Sequence, residues 1–323
     1  MKKILITGCA GLFGANFSSF LLNKGYKVIG IDNLSGGYED FLPKSPHFKF
    51  YQFDLLDDKK LHSLFKNKID HVYHFAAYAA EGLSPFIRNF NYTNNIITSI
   101  NVINQCIKYN IPICFTQSMA VYGNQKPPFS ERMTPLPVDP YGIAKYAVEL
   151  DLKNAKEQFG LDYTIIRPHN VIGIYQNIWD KYRNVAGIFI RNTLMNQEML
   201  IYGDGTQTRA FSDIKYYLEP MEKLMDKQFS GEVFNLGSDN FYTINDLASI
   251  INNIGKKYGY KPKIKYVEER HEVKHAYCNH KKAKRMLGLK DETNLNEVSK
   301  EQPKRKVKKI KYEIQNNIYS YWR

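Results

Sequence analysis

Residues 1–32, running from "MKKILITG" through "CAGLFGANFSSFLLNKG" to "YKVIGID", leave few architectures open. A short apolar run bounded by charge and glycine, a stretch with helical apolar spacing and a second short apolar run together form a βαβ unit. Gly8, Gly11 and Gly14 lie at its first turn in the spacing GxxGxxG. Glycine there lets the backbone approach a pyrophosphate, whose charge then faces the free amides of the following helix. The spacing differs by one residue from the commoner GxGxxG, so its placement between strand and helix carries the reading.

Asp32 stands at the end of the second strand, where a carboxylate accepts hydrogen bonds from both adenosine ribose hydroxyls and repels a 2'-phosphate. NAD is therefore expected over NADP, with Asn33 assisting. No Arg or Lys follows in "NLSGG" to reverse that preference. The alternation continues through a strand in "HFKFYQFDL", a helix in "KKLHSLFKN", a strand opening "DHVYHFAAYAA", a long helix in "NFNYTNNIITSINVINQCIKYN" and a strand in "IPICFTQS". Such an order predicts an α/β fold, a Rossmann-type doubly wound parallel sheet, with chemistry beyond the strands' C-terminal ends. Asp54, after the third strand, is placed to touch the adenine edge or to take part in capping the next helix near Asp57.

Composition narrows the class. With 323 residues and 43% hydrophobic content the chain can build a large core. Its formal charge of +13, from 45 Lys and Arg against 32 Asp and Glu, favours phosphate-bearing ligands. The basic stretch "PKRKVKKIKYE" at 303–313 reads as a solvated helical face, since no nucleic-acid-binding motif accompanies it. Cys9, Cys106, Cys114 and Cys278 lack both metal-ligand spacing and the density of a disulfide framework, which points to a reducing, cytoplasmic setting and to no metal. No apolar run is long enough to span a membrane.

The strongest chemical signal is "SMAVYG" followed by "DPYGIAKYAVEL". Tyr141 and Lys145 are one helical turn apart and share a face, while Ser118 follows the strand before them. A nearby ammonium and a positive nicotinamide would stabilise a phenolate. Tyr141 would then remove a sugar hydroxyl proton as hydride leaves for the cofactor, with Ser118 holding the reacting oxygen and Lys145 gripping the nicotinamide ribose. Taken singly, a packed tyrosine, a solvated lysine and a capping serine are the ordinary readings; their joint order after the glycine turn is what changes the weighting.

Taken with "TGCAGLFG" and "RPHNVIG", these motifs resemble the extended short-chain dehydrogenase/reductase family, in its nucleotide-sugar epimerase and dehydratase branch, over almost the whole chain. The resemblance implies retained NAD, a nucleotide-diphosphate sugar substrate and a homodimer built by the helix beginning near Asn91 and the one containing Tyr141. It adds Phe13, Leu55, Ala76, Ala77 and Asn95 to the cofactor set. It places His169 near the sugar or nicotinamide, Asn170 at the substrate diphosphate, and Asn184 and Arg209 around the nucleotide phosphates, with Arg270 and Glu272 at positions for phosphate and ribose. The chain departs from the family pattern at Ile172, Ala210, His271 and Glu272. Tyr78 and Glu81, in the loop after the fourth strand, have the reach to read sugar hydroxyls or simply to pack. Residues 1–168 are expected to form mainly the NAD-binding domain and 169–323 mainly the sugar-nucleotide lobe, with segments returning to the first.

Dehydratases of this branch carry Thr, Asp and Glu where the chain has Ser118, Met119 and Ala120, so the side chains that help eliminate water are missing. A 4-epimerase needs no further acid if a 4-keto intermediate turns over and takes hydride back on its other face. A dehydrogenase that releases the 4-keto sugar shares the same first half-reaction, and a noncatalytic sugar-nucleotide sensor is the reading from another class. Supply of bacterial surface polysaccharide is the pathway that the resemblance implies.

Overall fold

The computed structural model describes residues 1–180, 182–269 and 274–301. Chain order begins with strand β1 (Lys3–Thr7), helix α1 (Leu12–Asn23), β2 (Lys27–Asp32), β3 (Phe48–Gln52), α2 (Asp58–Phe65) and β4 (His71–His74). It continues with α3 (Arg88–Tyr92), a π-helical turn at Thr93–Ile97, α4 (Thr98–Tyr109), β5 (Ile113–Thr116), α5 (Pro140–Phe159) and β6 (Tyr163–Pro168). The second part holds β7 (Val171–Ile172), α6 (Val185–Leu194), β8 (Glu198–Tyr202), β9 (Thr208–Ala210), β10 (Ser212–Asp213), α7 (Leu218–Lys223) and β11 (Val233–Leu236). It closes with β12 (Phe241–Thr243), α8 (Ile244–Lys257), β13 (Lys263–Val267), β14 (His275–Ala276), α9 (Lys281–Leu287) and α10 (Leu295–Glu301).

Seven parallel strands in the order β11-β6-β5-β4-β1-β2-β3 make the main sheet. Alternating side chains feed two cores, as the twofold repeat of a strand requires. Leu5, Val72, Ile113 and Phe115 pack with α2, α4 and α5 on one face. Ile4, Ile6, Tyr73 and Cys114 pack with Phe17 and Leu21 of α1 and with Met221 and Leu287 from the later chain on the other. β11 returns to this sheet, and α7 and α9 pack with it. A separate core of Phe189, Ile190, Met199, Ile201, Leu247 and Ile251 supports the smaller lobe.

Local chemistry sets the boundaries that matter for the site. Asp139 is the N-cap of α5, its Oδ1 accepting from the Gly142 amide at 2.9 Å, and Pro140 occupies the first helical position. Gly160 ends that helix at φ +70°. Thr243 and Asp246 form a reciprocal capping box at the start of α8. Asp57 caps α2 by accepting from the Lys60 amide.

The long helix expected from "NFNYTNN" onward is interrupted by its π turn. There Asn95 turns inward, accepting from the Tyr78 amide at 3.1 Å and donating to the Tyr78 carbonyl at 3.2 Å. Side-chain bonding to the neighbouring loop thus fixes this turn against the site, a placement that helical spacing alone does not show.

Candidate active site

A cleft of about 1430 Å³ opens where the strands of the main sheet end and the smaller lobe faces them. That is well above the 300–1,000 Å³ usual for one small ligand. The glycine turn forms its floor. A Cβ at Gly8 (φ +69°) would come within 2.7 Å of the Ala76 backbone, and one at Gly14 would collide with the Gly8 carbonyl. Both positions therefore demand glycine, Gly8 for the turn and Gly14 for close packing of α1 on it. Gly8, Gly11, Phe13, Asn33, Leu55, Ala76 and Ala77 line the cleft.

Asp32 also lines it, held by the Ala10 amide at 2.9 Å and the Leu34 amide at 2.8 Å. Burial raises its pKa, while those amides and Arg183 oppose the rise. Asn33 donates to Asp54 at 2.8 Å, joining two further cleft residues. The approachable glycine backbone and the fixed carboxylate fit a dinucleotide with an unphosphorylated ribose. Asn95, fully buried, supports the Tyr78 loop from beneath the cleft wall, and Gly14 likewise acts from beneath.

At the centre, Ser118, Tyr141 and Lys145 meet from two elements. Ser118 follows β5 and caps the short turn at Met119–Tyr122, accepting from the Ala120 amide at 3.2 Å. Its hydroxyl lies near enough to the Tyr141 phenol to lower that group's pKa. Lys145 donates to the Thr116 carbonyl at 2.8 Å, and its Nζ lies 5.9 Å from the Tyr141 ring centre. Burial pushes the Tyr141 phenol well above its ordinary pKa; Ser118 and Arg183 pull it down, and Glu81 and Asp139 push it up. The same burial lowers Lys145 to about 7. In the free protein burial thus acts on both groups against their charged forms.

The remaining predicted residues are distributed along the cleft. Tyr78 and Glu81 are on its wall. His169 lines it at the end of β6 and is buried. Asn170 has φ +39° and donates to the Ala210 carbonyl at 3.0 Å, a left-handed conformation that Asn tolerates better than most side chains. Asn184 caps α6 by accepting from the Ala186 amide at 2.9 Å, and Arg209 reaches the Thr208 carbonyl at 2.9 Å; both line the far end. Arg270 and Glu272 lie outside the described residues, as does the basic stretch at 303–313.

Two contributors were not legible in the sequence. Arg183 pairs with Asp180 at 2.9 Å, stands 5.4 Å from the Tyr78 ring centre and presses on Gly36. The only local hint of it is its position next to Asn184. Ser84, fully buried, donates to the Glu81 carbonyl at 2.7 Å and accepts from the Tyr141 amide at 3.2 Å, fastening the substrate-side loop to the start of α5.

Comparison with known proteins agrees with this geometry. Residues 4–237 match the NAD dependent epimerase/dehydratase family. A putative UDP-glucose 4-epimerase of Methanocaldococcus jannaschii is 33% identical over 303 residues, covering 91% of this chain and 95% of that protein. The UDP-glucose 4-epimerase of Thermotoga maritima, solved with UDP-glucose, superposes with a TM-score of 0.84 at 30% identity, over 92% of this chain and 96% of that one. The UDP-glucuronic acid 4-epimerase of Bacillus cereus, solved with UDP-glucuronic acid and NAD, gives 0.82 at 26% identity, over 92% and 96%. A glycine turn on a parallel sheet, a carboxylate at the end of β2 and a Ser–Tyr–Lys cluster at the strand ends, together with these matches, establish that the chain belongs to the NAD-dependent epimerase/dehydratase family.

Proposed function

We propose that the chain is a nucleotide-sugar 4-epimerase. The observation that carries this reading is the wall beside Tyr141: Ser118, Met119 and Ala120 all line the cleft, so a hydroxyl is followed by a thioether and a methyl group. Neither Met119 nor Ala120 can move the proton that elimination of water needs, whereas oxidation and re-reduction at one carbon use only the Ser118–Tyr141–Lys145 set.

When bound, NAD supplies the nicotinamide that accepts hydrogen from the sugar's C4 and returns it, and in its oxidised form a positive charge that favours the phenolate. Tyr141 Oη takes the proton of the C4 hydroxyl and later returns one to the same oxygen. Ser118 Oγ holds that oxygen. Lys145 grips the nicotinamide ribose, and Asp32, Asn33 and Asp54 take the adenosine end. His169, Tyr78 and Glu81 face the sugar, Asn170 and Asn184 lie by the diphosphate, and Arg209 lies at the nucleotide end. The width of the cleft leaves room for the 4-keto sugar to turn before reduction on its opposite face.

Incubating the purified protein with UDP-, GDP-, CDP- and dTDP-sugars tests the assignment. The expected product of an accepted sugar has unchanged mass and, by NMR, an inverted C4 stereocentre. Loss of two hydrogens would show a dehydrogenase and loss of water a dehydratase. Binding without product or nicotinamide reduction across the panel would show a sensor; each of these results overturns the proposal.

We also propose a homodimer through α3, the following π turn and α5. Phe90 and Ile97 are seven residues apart, as are Ile143 and Leu150, and all four are 42–49% exposed. In the regular helix α5 the seven-residue spacing puts Ile143 and Leu150 on one stripe. Wild-type protein is expected to sediment as a dimer, and Ile143→Glu combined with Leu150→Glu as a monomer. A monomeric wild type, or a double variant that remains dimeric, would exclude this interface. The smaller lobe is assigned to sugar-nucleotide binding and the main sheet to NAD, with the boundary near residue 168. Four buried, unpaired cysteines fit a reducing compartment, which supports a cytoplasmic enzyme; among the described residues no helix is long and apolar enough to cross a membrane.

A further inference from the structure

Behind the sugar end of the cleft, three chain segments bring together side chains that the reaction above does not use as a set. His169 comes from the end of β6, and Cys278 and His280 from the segment after β14; all three are at least 96% buried. One donor atom from each, a ring nitrogen from either histidine and the cysteine Sγ, lies within 4.8 Å of the other two. The two imidazole rings are 5.0 Å apart and inclined at 31°.

Hydrogen bonding explains only part of this cluster. Among the described residues, neither ring nitrogen of His169 has a hydrogen-bond partner, and neither does Nε2 of His280. Burial and then His280 lower the His169 pKa to about 3, against smaller opposing effects of the Ser238 backbone and the Asp239 carboxylate. His280 differs on one side, because its Nδ1 is 2.7 Å from Asp239 Oδ1. With the Nδ1 proton directed to that carboxylate, Nε2 carries the lone pair. Asp239 is itself held by Lys284.

A carboxylate that orients an imidazole in this way is the usual outer support of a metal-bound histidine. Gly237 closes the opposite side, since any Cβ there would run into the His169 ring.

We propose that His169, Cys278 and His280 form a binding site for a single borderline-soft divalent cation, of which Zn²⁺ is the type. Two imidazoles and a thiolate suit Zn²⁺ and exclude the hard, oxygen-seeking Mg²⁺ and Ca²⁺. Zinc bonds of about 2.0–2.3 Å put neighbouring ligand atoms roughly 3.5 Å apart, so the three side chains close in by about an ångström on binding. The cation's two positive charges meet the Cys278 thiolate and, through His280, the Asp239 carboxylate, which Lys284 shares. The Cys278 thiol binds by releasing its proton to solvent as the metal–sulfur bond forms. His169 is the member that also lines the cleft. A cation here would fasten the β6 exit to the segment after β14, with its fourth position completed by water or another ligand.

Full-length protein stripped with a chelator and titrated with Co²⁺ tests this independently of any sugar chemistry. The expected result is saturation at equimolar Co²⁺, with visible d–d bands of tetrahedral intensity, a thiolate-to-cobalt charge-transfer band, and loss of both on adding Zn²⁺. Cys278→Ser should remove the charge-transfer band. Asp239→Asn, which keeps every ligand, should weaken Co²⁺ binding by about 10- to 100-fold, and circular dichroism checks that both variants are folded. Absence of saturable bands in the wild type, or a charge-transfer band that survives Cys278→Ser, would overturn the assignment.

Discussion

Tyr141→Phe is expected to lower turnover of the accepted nucleotide sugar by roughly 10²- to 10⁴-fold, the usual contribution of a positioned acid–base group. The loss should fall on kcat with KM little changed, because the phenol acts on the proton that moves rather than on the bulk of the substrate. Phe keeps the ring that packs at the start of α5, where Tyr141 is 7% exposed, so the fold and the NAD content should persist. What disappears is the phenol oxygen beside Ser118. A variant that still reduces its bound NAD on adding substrate, at the wild-type rate, would show that the phenol is not the base and would return Tyr141 to packing.

A second large effect is expected beneath the site. Arg167 and Glu149 are each 1% exposed and meet at 2.7 Å. Arg167 also donates to Gln117 and, at 2.8 Å, to the Tyr122 hydroxyl, which in turn donates to Asn235 at 2.8 Å. Gln117 precedes Ser118 and donates to the Lys145 carbonyl at 3.3 Å, so one buried network ties both sides of the Ser118–Tyr141–Lys145 set. Arg167→Met would leave the Glu149 carboxylate buried with the Gln117 amide at 2.5 Å and Lys153, itself partly exposed, 2.6 Å away.

Breaking one partner of a buried pair costs about 3–5 kcal/mol, which for a chain of this size lowers Tm by on the order of 5 °C. Adding Glu149→Gln to that variant should restore part of the loss, since no unpaired charge is then buried.

The pH dependence follows from Glu149. Burial raises its carboxyl, but Arg167, Lys153 and Gln117 together hold it below the ordinary value. Its folded pKa is thus depressed, and its contribution is present above the unfolded glutamate pKa and lost as pH falls through the folded one. Without Arg167 the burial effect dominates and the carboxyl takes up a proton nearer neutrality. The stability gap between wild type and Arg167→Met should therefore be largest at neutral pH and shrink on acidification, as thermal melts at several pH values would show. A gap independent of pH, or a double variant no more stable than the single one, would mean that the pair is not the source of the loss.

The parts of the protein readable from sequence were those whose physics is local. A glycine turn between an apolar run and a helical stretch declares a pyrophosphate cradle, because chain flexibility and helix-end charge act within a few residues. Tyr141 and Lys145 share a face because helical geometry decides it, and Thr243 caps α8 because its partner is three residues away. What only the folded chain decided depends on distance and burial. Residues 117, 149, 167 and 235 form one network because β5, β6, α5 and β11 stack together, and Arg183 reaches Tyr78 and Gly36 from the smaller lobe. Asn95 turns beneath the cleft because a π turn and the Tyr78 loop bond to each other. Spacing set the phenol and ammonium side by side; the depth at which the fold buries them pushes one pKa up and the other down, because desolvation is a property of everything packed around a group and not of its neighbours along the chain.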